Sequence, residues 1–389
     1  MQAALGLDNT EAGGLATANL AGYLALSVAG GVLAVRYGPR AVIAVGLALA
    51  AVGMLLTGLA DSFAAAMVWR ALTGVGSGAS NVPVMGLLAA WFVRRRRGLA
   101  AGIAVSGSSL ALIVLGPLVP RVLAARGQDG WRVCWFLFAG AVFLLAALSL
   151  AALRNRPSAI GLRPLGSKGD DEPGASAAGG LRWRSVYRSR VVWHIGLIYV
   201  AFGFSYIIYM TFFTKHLIAA GGHTQESAGR LFMLMGWLSL LCGLIWGWVS
   251  DVIGRKGALV IVYLIHAVAF GLFALWPSPA GFTISAVLFG LSAWSIPAIM
   301  AAACGDLLGP RLAPAGLGFI TLFFGIGQAA GPSVAGAMAD ATGSLSPALL
   351  LAAGVALVGA VGALFLRHAA LARYGGEGAQ SVSGRPAEE

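Results

Sequence analysis

Arg70 sits inside an apolar run spanning residues 63–92, and it is the one charge of this sequence placed clearly at the depth of such a run. A guanidinium surrounded by hydrocarbon costs several kcal/mol unless it faces a wet cavity or finds partners. It can attract an anion, tune a proton site, or bond the carbonyls of neighbouring helices. Gly74, Ser77 and Asn81 follow at i+4, i+7 and i+11, so a helix carries all four on one small, polar face.

A second chemistry-bearing set lies in residues 191–214, where Phe202, Tyr206, Tyr209 and Phe213 share a helical face and Tyr199 precedes them by about a turn. A phenol can donate to a carboxylate while its ring covers an apolar tail, and the same residues also serve as interfacial anchors or packing. Ser285, Phe289, Ser292 and Ser295 fall near one face of residues 280–305. Asn19, Tyr23, Ser106, Ser109, Thr321 and Gln328 either reach a cavity or bond between helices.

His194 and His266 could carry a proton, but neither has an evident carboxylate partner, so structural roles are expected. Cys134, Cys242 and Cys304 lack metal-ligand or disulfide spacing and read as packing residues. Neither H-E-x-x-H nor G-x-S-x-G occurs, and no carboxylates pair inside an apolar run, Asp306 and Asp340 falling near the ends of theirs. The expectation is a protein that is not an enzyme and carries no metal or cofactor.

The helices that must position these groups dominate the chain. Hydrophobic residues make up 59% and charged residues 10%, against about 25% charged in a soluble domain, so water is not the main solvent. Apolar runs fall at about 13–35, 41–60, 63–92, 98–123, 131–153, 191–214, 227–249, 258–276, 280–305, 315–338 and 345–366, each near the roughly 20 residues that cross a bilayer. Residues 154–190, rich in Gly, Pro, Ser and charge, read as a linker.

Alternating the loops between two sides puts twenty of the basic residues, including Arg36, Arg40, Arg94 to Arg97 and those of the linker and tail, on one side. Five, namely Arg121, Arg126, Arg132, Lys215 and Arg230, fall on the other. Retention of Lys and Arg in the cytoplasm then places linker and C-terminus inside. The net charge of +12 is explained by this topology and not by nucleic acid. The opening MQAALGLDNTEAGG has no signal-peptide character and reads as a loop following an absent first helix.

The two halves repeat: Gly31, Gly38 and Arg40 recur 216 positions later as Gly247, Gly254 and Lys256, and Gly116-Pro117 recurs 215 positions later as Gly331-Pro332. Parallel repeats of this size are the plan of one class of transporter. Gly247, Ser250, Asp251, Gly254, Arg255 and Lys256 closely resemble the G-x-x-x-D-x-x-G-R-K turn of the major facilitator superfamily. Gly247 is expected to allow close helix contact, Asp251 to pair with basic groups, and Gly254 to make the turn. Gly31, Arg36, Gly38 and Arg40 match the same pattern, with Val35 where the family places aspartate. Both turns also read as simple anchoring by charge with a glycine bend.

Residues 70–132 carry a further likeness to the monocarboxylate-porter branch, in Arg70, Gly74, Gly76, Gly78, Asn81, Pro83, Trp91-Phe92, Arg96 to Ala100, Ser106-Gly107 and Gly130-Trp131-Arg132. The stretch Tyr199 to Thr211 is similar to a group of poorly characterised bacterial facilitators. The resemblance implies an all-α membrane fold of two bundles, with eleven of twelve helices present and the first missing. It also implies a cavity lined by the runs holding Arg70, Tyr199 to Tyr209 and Ser292 to Ser295. This chain departs from the branch in showing only Glu226 and Arg230, at the outer end of 227–249, where the branch places an aspartate–arginine pair, and it departs from oxalate-type antiporters in having no Lys or Arg in 231–249 or 315–338.

The expected organisation is a bundle over 1–153, a cytoplasmic linker over 154–190, a second bundle over 191–367 and a cytoplasmic tail over 368–389. The expected function is secondary transport of a small, monocarboxylate-like organic anion across the cytoplasmic membrane by alternating access, with protons as a coupling ion. Export of amphipathic or amino-acid-like solutes is the alternative, and a non-transporting sensor a remote one. Substrate contacts are expected from Arg70, Ser77, Asn81, Tyr199, Tyr206, Tyr209, Ser292, Ser295 and Gln328. The two glycine turns are expected to gate. The partners are the solute and membrane lipid, with no nucleic acid, and the protein is expected to be a monomer.

Overall fold

A computed structural model describes residues 1–167 and 188–366, so most of the 154–190 linker and all of the 368–389 tail lie outside the described residues. Among the described residues the chain is helical, with a single isolated bridge between Phe92 and Leu165 that ties the start of the linker to the end of a helix.

The helices are α1 (Gln2–Leu5), α2 (Asn9–Tyr37), α3 (Pro39–Leu59), α4 (Phe63–Trp91), α5 (Arg94–Arg126), α6 (Gly130–Ala152), α7 (Arg190–Gly221), α8 (Gln225–Ser239), α9 (Cys242–Ile253), α10 (Arg255–Leu275), α11 (Pro279–Gly290), α12 (Ser295–Thr342) and α13 (Ser346–Leu364). Hydroxyl N-caps start several of them: Ser62, Ser189, Thr224 and Ser278 each accept a backbone N–H of the first turn. Pro39 and Pro279 occupy first-turn positions where no N–H is needed.

Three boundaries differ from those expected. The opening is not a loop: α1 forms, and α2 begins at Asn9 because Asp8 and Glu11 close a capping box. The run 227–249 is bent by 44° between α8 and α9. The run 280–305 breaks at Leu291–Trp294, while α12 continues through the polar stretch expected to be a loop. At that break the Ser292 hydroxyl donates to Leu288 O at 2.7 Å and the Ser295 hydroxyl to Ser292 O at 2.5 Å, local bonds that compete with regular helix.

Among the described residues, seven helices are long and apolar enough to cross a membrane, or nine if each of two bent pairs is one span. That set treats 103–152 as one stretch and leaves α4 out, so it runs below the eleven expected spans.

Within the first half, α4 packs on α2 and α3, and α3 on α6; within the second, α7 packs on α12 and α13, and α10 on α13. The halves meet along two seams, α2 against α12 and α5 against α8. At the second seam Gly116 and Gly229 face each other so closely that a Cβ at either would strike the other's carbonyl oxygen. Most of the large buried aromatics, including Phe202, Tyr209, Phe213, Phe270, Phe273 and Phe289, belong to the second half.

Candidate functional site

Arg70 lies on α4, half-buried, with its guanidinium 4.7 Å from the centre of the Trp135 ring on α6. Stacking on an indole face satisfies part of its charge without neutralising it. The Asn19 amide, from α2, donates to the Arg70 carbonyl at 3.1 Å. No carboxylate pairs with Arg70 among the described residues. Ser77 is half-buried and donates to Gly74 O of its own helix at 3.0 Å, and Asn81 is exposed.

From the second half, α7 and α12 bring Tyr199, Tyr206 and Gln328 together. The Gln328 amide donates to the Tyr206 hydroxyl. Phe324 stacks on Tyr199 at 4.7 Å and on Tyr206 at 5.8 Å, and Phe202 stacks on Tyr206 at 4.7 Å, giving a ladder of nearly parallel rings. Trp294 closes one side edge-on to Tyr206 at 6.3 Å. The result is an aromatic wall with a buried phenol–amide pair, which can hold an apolar body and offer one or two hydrogen bonds to a polar head.

Three expected substrate contacts lie elsewhere in this conformation. Tyr209 is fully buried inside the second half, its hydroxyl 2.8 Å from Ser285 Oγ and its ring held by Phe213, Phe270, Phe273 and Phe289. Ser292 and Ser295 are also fully buried, with their hydroxyls used on the carbonyls at the α11–α12 break. Periodicity assigned them a shared face, and that face meets packed helix here.

Contacts that sequence reasoning passed over join the halves. Asp340, at the end of α12, accepts from Asn9 N at 3.0 Å, Asn9 Nδ2 at 2.7 Å, Thr10 N at 2.6 Å and the Thr10 hydroxyl at 2.6 Å. A carboxylate there satisfies orphan N–H groups of the α2 N-terminus and matches its dipole. Lys215 donates to Gln2 Oε1 at 2.7 Å and to Asn9 Oδ1. Further along, Thr17 bonds Ala329 O and Ser333, and Ser109 of α5 receives both Ser239 at 2.7 Å and the Trp294 indole at 3.2 Å. The sequence signal for Asp340 was the Asp-Asn-Thr-Glu helix start, whose free amides need an acceptor.

Among the described residues, no hydrogen bond crosses between the halves toward the opposite end, where the glycine turns lie. There Arg255 is held by Asp251 at 2.5 Å, Asp306 at 2.8 Å and the Ser250 hydroxyl at 2.6 Å, all within the second half. Gly38 and Gly254 share a positive φ, 85° and 84°, so both copies of the turn require glycine. Gly247 differs from expectation: a Cβ there meets open space, so it makes no close helix contact in this conformation. Gly31 faces only Val82, at 3.3 Å from a built Cβ. Arg36 is exposed, Lys256 half-buried, and Arg40 donates to Leu150 O at 2.7 Å. Among the described residues, the hydrogen bonds between the halves thus reach the Asp340 end, and none is found at the Arg255 end.

Two helix groups thus meet along paired seams, α2 against α12 and α5 against α8. Over 95% of this chain and 89% of the other, the structure matches a bacterial homolog of the human lysosomal transporter Spinster, in its inward-facing and unoccupied conformation, with a TM-score of 0.67 and 18% identity. This is the major facilitator fold, as the glycine turns implied.

The chain belongs to the family described as "Uncharacterised MFS-type transporter YbfB", whose model matches residues 1–364. It is 27% identical to the probable sulfoacetate transporter SauU of Cupriavidus necator, over 93% of this chain and 86% of that one. It is 23% identical to the hexuronate transporter of Bacillus subtilis (91% and 85%) and 26% identical to monocarboxylate transporter 13 of Bos taurus (88% and 77%). The protein is a multi-pass membrane transporter of the major facilitator superfamily and not an enzyme.

Proposed function

We propose that the protein carries a small, monocarboxylate-like organic anion across the cytoplasmic membrane by alternating access. The observation that carries this reading is Arg70, a cation without a carboxylate partner among the described residues, stacked on Trp135 within an apolar helix. Sulfoacetate, hexuronate and monocarboxylates, named for the relatives, are all compact anions with an acid head. In this reading Arg70 attracts the head, Ser77 and Asn81 line its path, and Tyr199, Tyr206 and Gln328 receive the remainder of the solute.

The bundles over 1–153 and 191–367 rock against one another, with the Arg255 end, linker and tail cytoplasmic, as the basic residues favour. The Asp340 contacts act as the outer closure, and the Arg255 cluster keeps the inner ends of α9, α10 and α12 together while the halves part. Uptake of labelled monocarboxylates into proteoliposomes, with and without an imposed pH gradient, tests substrate and proton coupling. Arg70→Ala is expected to lower uptake to background with insertion unchanged; wild-type rates in that variant would reduce Arg70 to scaffolding. The ladder Tyr199, Phe202, Tyr206 and Phe324 favours a second reading, export of amphipathic or amino-acid-like solutes, which dye efflux from the same vesicles would reveal.

A further inference from the structure

The two copies of the glycine turn differ in charge. In the second copy Arg255 sits between Asp251 and Asp306. In the first, Val35 occupies the position equivalent to Asp251 and is 90% exposed, so among the described residues no carboxylate serves that turn. Of the nearby arginines, Arg40 and Arg154 are used on the carbonyls that end α6: Arg40 on Leu150 O at 2.7 Å, Arg154 on Ala151 O at 2.7 Å and Leu153 O at 3.0 Å.

Arg36 and Arg156 are left. Both are exposed, neither meets a carboxylate among the described residues, and Arg36 only leans over its neighbour Tyr37 at 5.3 Å. They line an open cleft of about 550 Å³ between the α2–α3 turn and the segment after α6, with Asn155 and Ser158. The Asn155 side-chain oxygen Oδ1 accepts the Arg40 backbone N–H at 2.9 Å, while its Nδ2 lies against Gly38, where a Cβ would come to 2.5 Å. Beside the cleft, Val32 (66% exposed) and Val35 form an apolar strip along α2.

We propose that this cleft binds the headgroup phosphate of an anionic phospholipid. Two guanidinium forks match phosphodiester oxygens, with the Ser158 hydroxyl as a further donor. Basic pockets at the ends of membrane helices suit such headgroups. The cleft opens where α2 ends and α3 begins, and its apolar strip gives the acyl chains a surface that a free phosphate ion has no use for. The bound lipid then supplies at the first turn the negative charge that Asp251 supplies at the second.

Native mass spectrometry of the full chain in mild detergent, with phosphatidylglycerol, phosphatidylcholine or inorganic phosphate added, tests this. Phosphatidylglycerol is expected to be retained, phosphatidylcholine not, and millimolar inorganic phosphate is expected to leave the retained lipid in place. Arg36→Gln with Arg156→Gln should lower retention on the order of tenfold. Val35→Asp should do the same with both arginines intact, by providing the missing carboxylate. Equal retention in the double variant and in Val35→Asp, or equal binding of phosphatidylcholine, overturns the proposal. Displacement by inorganic phosphate overturns the assignment to lipid.

Discussion

Tyr206 and Gln328 depend on each other, since each is buried and the amide donates to the phenol. Tyr206→Phe leaves that amide without its acceptor, a loss of about 1–3 kcal/mol, expected as a lower melting temperature and a raised KM for the transported anion. Pairing Tyr206→Phe with Gln328→Leu removes both polar partners and should recover most of the stability while KM stays high, which separates recognition from folding in the same two assays. The position of Arg70 within an apolar helix was legible from sequence, where a charge stands out because it is costly to place. The surroundings of Tyr209, Ser292 and Ser295 were not, because helical spacing says which residues share a face and not whether that face meets a cavity or a neighbouring helix. The short serine side chains settle on carbonyls of their own chain, a local preference that a face diagram omits.

Between elements, the α5–α8 seam rests on Gly116 and Gly229. Gly229→Leu forces its side chain into the Gly116 backbone, and a destabilisation of about 1–3 kcal/mol is expected, read as a drop in thermal stability and in folded yield. Gly247→Ala is the contrast: its Cβ meets open space, so stability should stay within about 0.5 kcal/mol, although the two glycines look alike in the sequence. Helix positions followed well from the apolar runs, which the bilayer sets by length. Their ends followed less well. The Asp8–Glu11 capping box was readable in principle, whereas the break at Leu291–Trp294 depends on serine hydroxyls that carry no pattern.

Across the whole molecule, the repeat at 215–216 positions made the two halves visible from sequence, but nothing local in the chain could say which end they close, because those contacts join residues more than three hundred positions apart. Thr17 and Ser333 hydroxyls lie 2.8 Å apart across the first seam. Thr17→Cys with Ser333→Cys should therefore form a disulfide that stops uptake, and reductant should restore it; undiminished uptake by the oxidised protein would mean that the halves need not part there. Asp340 has a further consequence. It stands on the first two amides of α2 from across the seam, while Glu11 N is held by Asp8 of the same half, at 2.7 Å. Under the alternating access proposed above, each opening at that end strips two peptide hydrogens of their acceptor and hands them to water. Deuterium uptake at Asn9 and Thr10 then becomes a turnover clock: it should quicken when transported solute is added, with Glu11 as the unmoving reference beside it.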